Sequence, residues 1–328
     1  MDSDFTWRDA ERTVRFARGA ILEAPQLLGD GYTLLSTPRA RATQPQLEAA
    51  AAQVVDVAPG FVDQIAGQLL AAGPLTNQLV ALGGGRVIDT AKALGAAAGE
   101  PTLVAAIPTT LSAAEMTSLH RQAVGAPRGS TAMRPQLVIN DPTLSASQPM
   151  PQLAASAANA LAHAVEGAVT GVTSPLQTLA ALRAVTLLAQ ALPAEGEPDR
   201  DALALAALLS GYAIDCAGLH HVMSQTLVRE TGVGHGNANA AMLPTTSAAL
   251  RQRRGDAIAA VDDAAGMPIE ELASRFAQLA QAPSLQAIGV DEALLPHCAE
   301  LASGRSELAL TPPPASADEL LELYRAAW

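Results

Sequence analysis

Four of the six histidines lie in one otherwise apolar stretch of the second half of the chain, near an asparagine. Asn159 and His163 are four residues apart, so on a helix their side chains share one face. His220-His221 and His235 follow, and His221 and His235 could reach the same cavity from another helix and the loop after it. Such a cluster predicts a metal site, or the polar wall of an active site that once held a metal.

The same histidines also have interpretations that need no chemistry. A single histidine on an apolar helix, as His163 would be, is more often a hydrogen-bonded core residue than a functional one. His220 and His221 point about 100° apart on a helix, so at most one faces a cleft, and we expect it to be His221. His235 with the glycine after it could be a turn that breaks a helix. The two histidines outside any motif, expected to be structural or on the surface, are His120 and His297.

A second candidate site is the glycine run that follows an apolar strand and opens a helix. The main-chain N–H groups of Gly83, Gly84 and Gly85 could approach a pyrophosphate there, with help from the helix dipole. The run is not GxGxxG, and a tight strand-to-helix turn explains it equally well. Asp89 and Lys92, the only lysine of the chain, lie three residues apart on that helix. We expect them to form a solvated surface pair.

The first half of the chain alternates between strand and helix patterns, which predicts a parallel, Rossmann-like sheet covered on both faces. The predicted strands are residues 13–16, 32–36, 55–57, 78–82, 102–107 and 136–139. The predicted helices between them are residues 20–28, 46–54 and 61–72, and one that starts near residue 87.

The second half shows no convincing strand and predicts an all-helical domain. Its predicted helices are residues 152–170, 175–191, 201–226, 245–253, 269–280, 291–303 and 317–326. The change of pattern between Asp141 and Pro149 predicts two domains, residues 1–146 and residues 147–328.

Composition excludes several classes of partner. The net charge of -12 and the pI of about 4.9 disfavour nucleic acid and anionic membranes as partners.

Cys216 and Cys298 have no metal-binding spacing, so a reducing compartment is expected. The acidic N-terminus lacks a signal-peptide pattern, and the alanine-rich helices are interrupted well before the length of a membrane span. We therefore expect a cytoplasmic protein.

Several of these segments resemble one known family in its own order. Residues 83–92 resemble the GGGSxxDxAK segment of the group III, iron-type alcohol dehydrogenases. Residues 107–110 with 115–117 are similar to its PTTxxxxSExT stretch, and residues 140–142 with Pro149 are similar to the turn before its helical domain. Residues 159–166 and 235–240 match its two metal-site segments. The resemblance covers most of the chain.

Within this family the maleylacetate reductase branch is the most similar. The similar features are residues 34–38, 115–117, 219–221 and 320–328, and Asn159 in place of an iron-binding aspartate. That branch reduces an enone carbon–carbon double bond with NADH or NADPH and is thought to need no metal. A neutral Asn159 removes the only anionic ligand and leaves three imidazoles, which could bind zinc but hold iron(II) weakly. Without a metal, the imidazoles could donate protons or bind a carboxylate, and we favour this metal-free interpretation.

The resemblance implies a dehydroquinate-synthase-like fold with NADH or NADPH and the substrate in the cleft between an α/β domain and an all-α domain. It implies a homodimer that acts on a small molecule such as a carboxylate. The implied catalytic residues are His163, His221, His235, Asn159 and Gln225. The implied cofactor-binding residues are Gly83, Gly84, Gly85, Asp89, Thr109, Thr110, Ser36 and Arg39. From its position alone, Arg39 could read the 2'-phosphate of NADP or be an ordinary solvated arginine.

Four departures from the family pattern keep other functions open. Arg86 replaces the serine of the glycine segment, and it could pair with phosphate or obstruct the cofactor. Ala113 and Ala114 replace a glycine and a serine. Gln225 replaces a histidine that is often assigned to proton relay, and glutamine cannot shuttle a proton near neutral pH. A lysine expected near the cofactor is absent, and Arg134 could stand in for it. The alternatives are a metal-dependent alcohol dehydrogenase and a non-redox descendant of the family.

Overall fold

A computed structural model describes residues 4–99, 101–214 and 216–328. The chain forms two compact units, one ending at Ser147 and the other beginning at Gln148. In the described part of the chain, no helix is both long enough and apolar enough to span a membrane.

The first unit is built on one seven-stranded sheet. Its strands are β1 (Phe5–Asp9), β2 (Arg12–Phe16), β3 (Thr33–Ser36), β4 (Gln53–Asp56), β5 (Gln78–Gly83), β6 (Leu103–Pro108) and β7 (Leu137–Asn140). They lie in the order β1-β2-β7-β6-β5-β3-β4. All neighbours are parallel except β1 and β2. The predicted parallel sheet is therefore confirmed. Strand β1 was not predicted, because this largely exposed edge strand carries no apolar run.

Helices cover both faces of the sheet. They are α1 (Ala24–Leu28), α2 (Pro38–Arg41), α3 (Pro45–Ala50), α4 (Val62–Ala72) and α5 (Gly85–Ala98). Along β5, Leu79 and Ala81 pack into one hydrophobic core, and Val80 and Leu82 pack into the other. This alternation between two buried faces is why the central strands read as continuous apolar runs.

Two predicted helix boundaries in this unit were wrong. The helix predicted at 46–54 ends at Ala50, because the adjacent valines Val54 and Val55 belong to β4, where β-branched side chains fit well. Residues 20–28 form a short 3-10 turn, Ala20–Glu23, before α1.

The strand order creates a switch point between β3 and β5. Strand β4 lies on one side of β3, and β5 lies on the other, so the chain changes direction across the sheet after β4. The carboxyl ends of β3 and β5 are neighbours, since Ser36 pairs with Leu82. Ligands of open parallel sheets bind at such a switch point. The glycine run directly after β5 therefore lies where a ligand site is expected.

The second unit consists of helices. They are α6 (Met150–Val169), α7 (Pro175–Ala191), α8 (Arg200–Ala213), α9 (Leu219–Thr231), α10 (His235–Arg253), α11 (Gly255–Ala265), α12 (Ile269–Leu279), α13 (Leu295–Ser303) and α14 (Ala317–Ala327). Every residue of α6 from Ala157 to Val169 is buried. Its many alanines allow the neighbouring helices to approach closely, so a polar side chain on α6 lies in the interior of the unit.

Two predictions in the helical unit were wrong, and one helix was missed. The helix predicted at 201–226 is two helices, because α8 ends at Ala213 and α9 begins at Leu219. The helix predicted at 245–253 begins ten residues earlier, at His235, and contains Pro244 in its interior. Helix α11 was not predicted. The first two errors both concern residues of the candidate site.

Candidate active site

Helix α6 brings Asn159 and His163 to one face, as their spacing predicted. Their side chains are 5% and 8% exposed, so both are buried among alanines. The imidazole of His163 stacks on that of His221 from α9, with ring centroids 4.7 Å apart and planes 14° apart. The structure therefore brings together two of the three histidines that were predicted to act together.

Glu166, one turn after His163, holds the start of α9. Its carboxylate accepts main-chain N–H groups from Gly218 at 3.0 Å, His220 at 2.7 Å and His221 at 3.4 Å. It also lies 2.6 Å from Nδ1 of His221. A Cβ atom on Gly218 would lie only 2.9 Å from Oε1, so a larger residue here would displace the carboxylate from the N–H groups that it accepts. A negative charge at a helix N-terminus is favourable, and this one fixes where His221 sits.

The histidines of α9 are neutral near pH 7. Burial, followed by the charge of His235, lowers the pKa of His221 to about 3. Burial, followed by the charge of His221, lowers the pKa of His220 to about 3. Burial raises the pKa of Glu166, and the N–H groups that it accepts act against that rise. With the ring proton of His221 on Nδ1 facing Glu166, its Nε2 is an acceptor, and this atom is buried without a hydrogen-bond partner among the described residues.

His220 belongs to a separate hydrogen-bonded network behind His221. Its Nδ1 lies 2.7 Å from the hydroxyl of Thr246, and its Nε2 lies 2.8 Å from Oδ1 of Asn239. Asn239 in turn donates to Oδ1 of Asn159 at 3.1 Å and to the carbonyl of His235 at 2.8 Å. The network thus links three helices of the unit, α6, α9 and α10.

His235 and Gln225 are placed differently from the other candidates. His235 is the first residue of α10 and is exposed, whereas the sequence predicted a loop position. Gln225 on α9 is half-buried, and its Oε1 accepts from the guanidinium of Arg305 at 3.2 Å. Arg305 is also paired with Glu307 at 2.6 Å. The contact with Arg305 orients the side chain of Gln225.

As placed, these residues do not fit an iron(II) site. Among the described residues, no group of three or more His, Cys, Asp or Glu side chains could hold a metal ion. Asn159 is uncharged, and Glu166 is already occupied by the four N–H groups at the start of α9. Iron(II) sites of this kind use a carboxylate beside the imidazoles. The reactive groups offered here are imidazoles and amides.

In the first unit, the glycine run forms a tight strand-to-helix connection. Gly84 precedes α5 without a side-chain cap. A Cβ on Gly84 would lie 2.9 Å from Cγ2 of Thr110, and one on Gly85 would lie 3.0 Å from Cβ of Ser112. The N–H of Thr109 donates to the carbonyl of Gly83 at 3.0 Å. Glycines are therefore needed for the close approach of this segment. Helix α5 begins directly after β5, and the uncapped N-terminus of a helix is a position where an anion can bind.

The other residues implied in cofactor binding lie in different environments. Ser36 is fully buried, and its hydroxyl donates to the carbonyl of Leu82 at 2.8 Å, so it links two strands. Arg39 is exposed on α2, and Arg86 is exposed on the first turn of α5. Asp89 is half-buried and bonded to Lys92 at 2.7 Å.

The prediction of a solvated Asp89–Lys92 pair was wrong, because Lys92 is fully buried. Its ammonium group donates to Asp89, to the carbonyls of Ala114 at 3.0 Å and Leu119 at 2.8 Å, and to the hydroxyl of Thr117 at 3.4 Å. Lys92 therefore ties α5 to the segment that follows the glycine turn. These partners come from a loop more than twenty residues later, which the local spacing does not reveal.

Ala113 replaces a glycine of the family pattern, and its backbone has a conformation that favours glycine. Ala113 has a φ of 60°, in the left-handed region that glycine adopts without penalty.

Glu115, two residues after Ala113, is buried with neither carboxylate oxygen hydrogen-bonded among the described residues. Arg12 donates to the main-chain carbonyl of Glu115 at 2.7 Å. Sequence reasoning did not single out Glu115, Glu166 or Asn239, although all three lie within the motif segments that it recognised.

Residues 153–328 match the Fe-containing alcohol dehydrogenase family, C-terminal. The 1,3-propanediol dehydrogenase of Citrobacter freundii is 30% identical over 215 residues, which cover 59% of this chain and 55% of the relative, so the chain spans about half of that relative. The maleylacetate reductase of Rhizobium sp. (strain MTP-10005) is 29% identical over 308 residues, covering 89% of this chain and 84% of the relative.

Solved structures share the fold over the whole chain. The crystal structure of maleylacetate reductase from Rhizobium sp. strain MTP-10005 matches with a TM-score of 0.79 and 27% identity, covering 100% of this chain and 99% of that one. The sulfoacetaldehyde reductase of Bifidobacterium kashiwanohense, in complex with NAD+, matches with a TM-score of 0.77 and 19% identity, covering 98% and 99%. The predicted fold, an α/β unit followed by a helical one, is confirmed by these likenesses.

Proposed function

The chain belongs to the Fe-containing alcohol dehydrogenase family, a family of oxidoreductases, and from that premise we propose that it is a metal-independent NAD(P)H-dependent reductase of the maleylacetate reductase type. The observation that carries this proposal is the donor set of the helical unit. The donors near Asn159 are imidazoles and amides, and the carboxylate of Glu166 is occupied by the N–H groups at the start of α9. Such a wall can bind and polarise an organic oxygen without a metal.

The reaction we propose is hydride transfer to an activated double bond. A bound reduced nicotinamide would supply the hydride that saturates the β-carbon of an enone, and a proton from solvent would complete the reduction at the α-carbon. His163 and His235 would bind the oxygen or carboxylate, and the acceptor Nε2 of His221 would take a hydrogen bond from a donor group of the substrate. Asn159 and Gln225 would orient these side chains. Hydride transfer to a carbonyl carbon of the substrate is the alternative reaction in the same site.

The switch point of the sheet is the cofactor site in this proposal. The first N–H groups of α5, beside Gly84 and Gly85, would hold the pyrophosphate, and Thr109 and Thr110 follow the end of the adjacent strand β6. The NAD+ complex of the sulfoacetaldehyde reductase, which has this fold, supports a nicotinamide cofactor. Arg39 follows the end of β3 and Arg86 follows the end of β5. Both arginines are exposed, and either can pair with a phosphate.

The test is oxidation of NADH and of NADPH, followed at 340 nm, by chelator-treated protein with maleylacetate as substrate. We expect turnover without added metal, its loss in His221→Phe, and normal turnover in the surface variant His297→Phe. The imidazole of His297 is exposed and lies 3.2 Å from the carboxylate of Glu230. Turnover that requires added Fe²⁺ or Zn²⁺ would instead support the metal-dependent alcohol dehydrogenase. Failure to bind either nucleotide would support a non-redox function.

A further inference from the structure

The connection between β6 and β7 contains a loop that is closed by a histidine. Residues 117–136 form neither helix nor strand. Within them, the main-chain N–H of Met133 donates to Nε2 of His120 at 3.1 Å, so residues 120–133 form a closed loop. Compact surface loops with neighbouring ends are packed by their own side chains. His120 belongs to neither the histidine cluster nor the glycine turn, and its contacts therefore indicate a role in this loop.

The segments on both sides of the 120–133 loop are attached to the first unit. Before the loop, the carbonyl of Leu119 accepts from the buried ammonium group of Lys92 at 2.8 Å. After the loop, the main-chain N–H of Gln136 donates to the carbonyl of Val104 in β6 at 2.9 Å. The two flanks are thus held by α5 and by the sheet. The loop can change its conformation between them without moving either one.

Two side chains form hydrogen bonds across the loop. One is His120, and the other is Gln122, whose amide donates to the carbonyl of Ser130 at 2.7 Å. The side chain of Met133 lies on α5, because a Cβ atom on Gly95 would be 2.5 Å from its sulfur. The bond from His120 therefore holds the loop at the point where it covers α5. Of the two cross-loop side chains, His120 alone changes its charge between pH 5 and 8.

The two ring nitrogens of His120 have different roles. The carbonyl of Arg121 can only accept, so Nδ1, which lies 3.0 Å from it, carries the ring proton. Nε2 is then the acceptor for the N–H of Met133. A proton on Nε2 would turn this acceptor into a donor that faces another donor. The contact with Met133 therefore requires the neutral imidazole.

We propose that His120 is a pH-sensitive clasp: protonation of its Nε2 breaks the bond to Met133, and acid thereby releases this end of the loop from α5. The proposal goes beyond the proposed function, since the clasp involves neither nucleotide nor substrate. A single bond between two otherwise fixed flanks is sufficient for such a device, because only the loop has to move.

The direction of the pH dependence follows from the groups around the imidazole. Burial lowers the pKa of His120 from its ordinary value of 6.5, and the charge of Lys92 on α5 lowers it further. The Arg121 carbonyl and the charge of Asp89 on α5 act in the opposite direction. Because the neutral form is favoured in the folded chain, the bond is complete above pH 6.5 and is lost as the pH falls through the pKa of the folded state.

Hydrogen–deuterium exchange tests the clasp at a series of pH values from 8 to 4.5. Mass spectrometry follows the peptides that contain Met133, and the rates are corrected for the intrinsic effect of pH on exchange. His120→Gln offers an amide oxygen that accepts at every pH, whereas His120→Leu removes the acceptor. The control His297→Gln removes an exposed histidine of the second unit. Peptides from β5 and β6 report on the rest of the first unit.

In the parent chain, we expect exchange at Met133 to rise about tenfold as the pH falls below 6.5, the effect of one lost hydrogen bond. His120→Gln should stay protected, His120→Leu should exchange about tenfold faster already at pH 8, and His297→Gln should follow the parent. The proposal is overturned if the parent stays equally protected down to pH 4.5, if His120→Gln shows the same acid transition, or if β5 and β6 open together with the loop. If His120→Leu does not fold, the comparison of the parent with His120→Gln decides.

Discussion

Glu115 is a buried acid whose ionisation should destabilise the first unit. Its side chain is 1% exposed, and neither carboxylate oxygen has a hydrogen-bond partner among the described residues. Burial raises its pKa to about 7, although its own main-chain N–H and the charges of Arg12 and Lys92 lower it and that of Asp89 raises it. Because the pKa in the folded chain lies above 4.5, the ordinary value, the folded state holds a proton that the unfolded state releases.

The resulting loss of stability can be worked out from these values. Stability is complete below pH 4.5 and falls as the pH rises toward about 7. Each pKa unit corresponds to about 1.4 kcal/mol, so the difference between 4.5 and about 7 lowers the free energy of unfolding by about 3 kcal/mol. Glu115→Met keeps the length of the side chain and removes the acid. At pH 8 it should therefore be more stable than the parent by about 3 kcal/mol.

Urea unfolding at a series of pH values between 4 and 8 measures this difference. Glu23→Gln is a control of opposite sign, since its hydrogen bond to Arg15 lowers the pKa of Glu23. The stability from Glu23 is present above its unfolded pKa and is lost as the pH falls, so Glu23→Gln should weaken the chain at neutral pH. If the stability of Glu115→Met ran parallel to that of the parent across the whole pH range, the burial argument for Glu115 would be refuted.

Three further predictions concern buried groups. Because Lys92 is fully buried, an acetylating reagent should modify it only after the chain unfolds. Lys92 is the only lysine of the chain, so peptide mass spectrometry can follow its modification directly. Modification of the native chain at the rate of a free lysine would contradict its burial. Glu166→Gln turns an NH₂ toward the N–H groups of α9, so it should lower the free energy of unfolding by about 2–3 kcal/mol and the Tm, measured by calorimetry, by about 4–12 °C. The control Glu230→Gln, on the surface, should change the Tm little. Equal shifts in the two variants would contradict the role of Glu166 at the start of α9. Ala113→Gly should raise the free energy of unfolding in urea by about 0.5–1 kcal/mol, because glycine adopts the positive φ of this position without strain. The control Ala114→Gly should only destabilise the chain. A change of stability in the same direction in both variants would contradict backbone strain at Ala113.

The parts of the fold that local pattern determines could be predicted from the sequence. Strand β5 and its neighbours are continuous apolar runs because both faces of the sheet are covered, and that requirement is visible in one segment at a time. The common face of Asn159 and His163 follows from helical spacing alone, and their burial among alanines agrees with the composition of α6.

The parts that depend on distant partners could not be predicted. The segment 201–226 has a continuous helical pattern, and the start of α9 is set by Glu166, more than fifty residues earlier in the chain. The start of α10 precedes Pro244, where local rules place a boundary. Tertiary contacts support this first part of the helix, since Gly236 lies against Ala155 and Asn239 bonds to Asn159.

The candidate site shows the same division. Residue types and spacing indicated the histidines, whereas the roles of Glu166 and Asn239 depend on which atoms they meet across helices. Lys92 illustrates the limit most clearly, because its helical pairing with Asp89 was visible and its burial under the later loop was not.

We propose that this chain binds a nicotinamide cofactor and needs no metal to do so. Isothermal titration of NADH and of NADPH into chelator-treated protein tests it most directly. We expect saturable binding of at least one nucleotide, at one site per chain and with a micromolar Kd. Absence of binding by both nucleotides would contradict it, and would identify Arg86 at the start of α5 as an obstruction of the cofactor position.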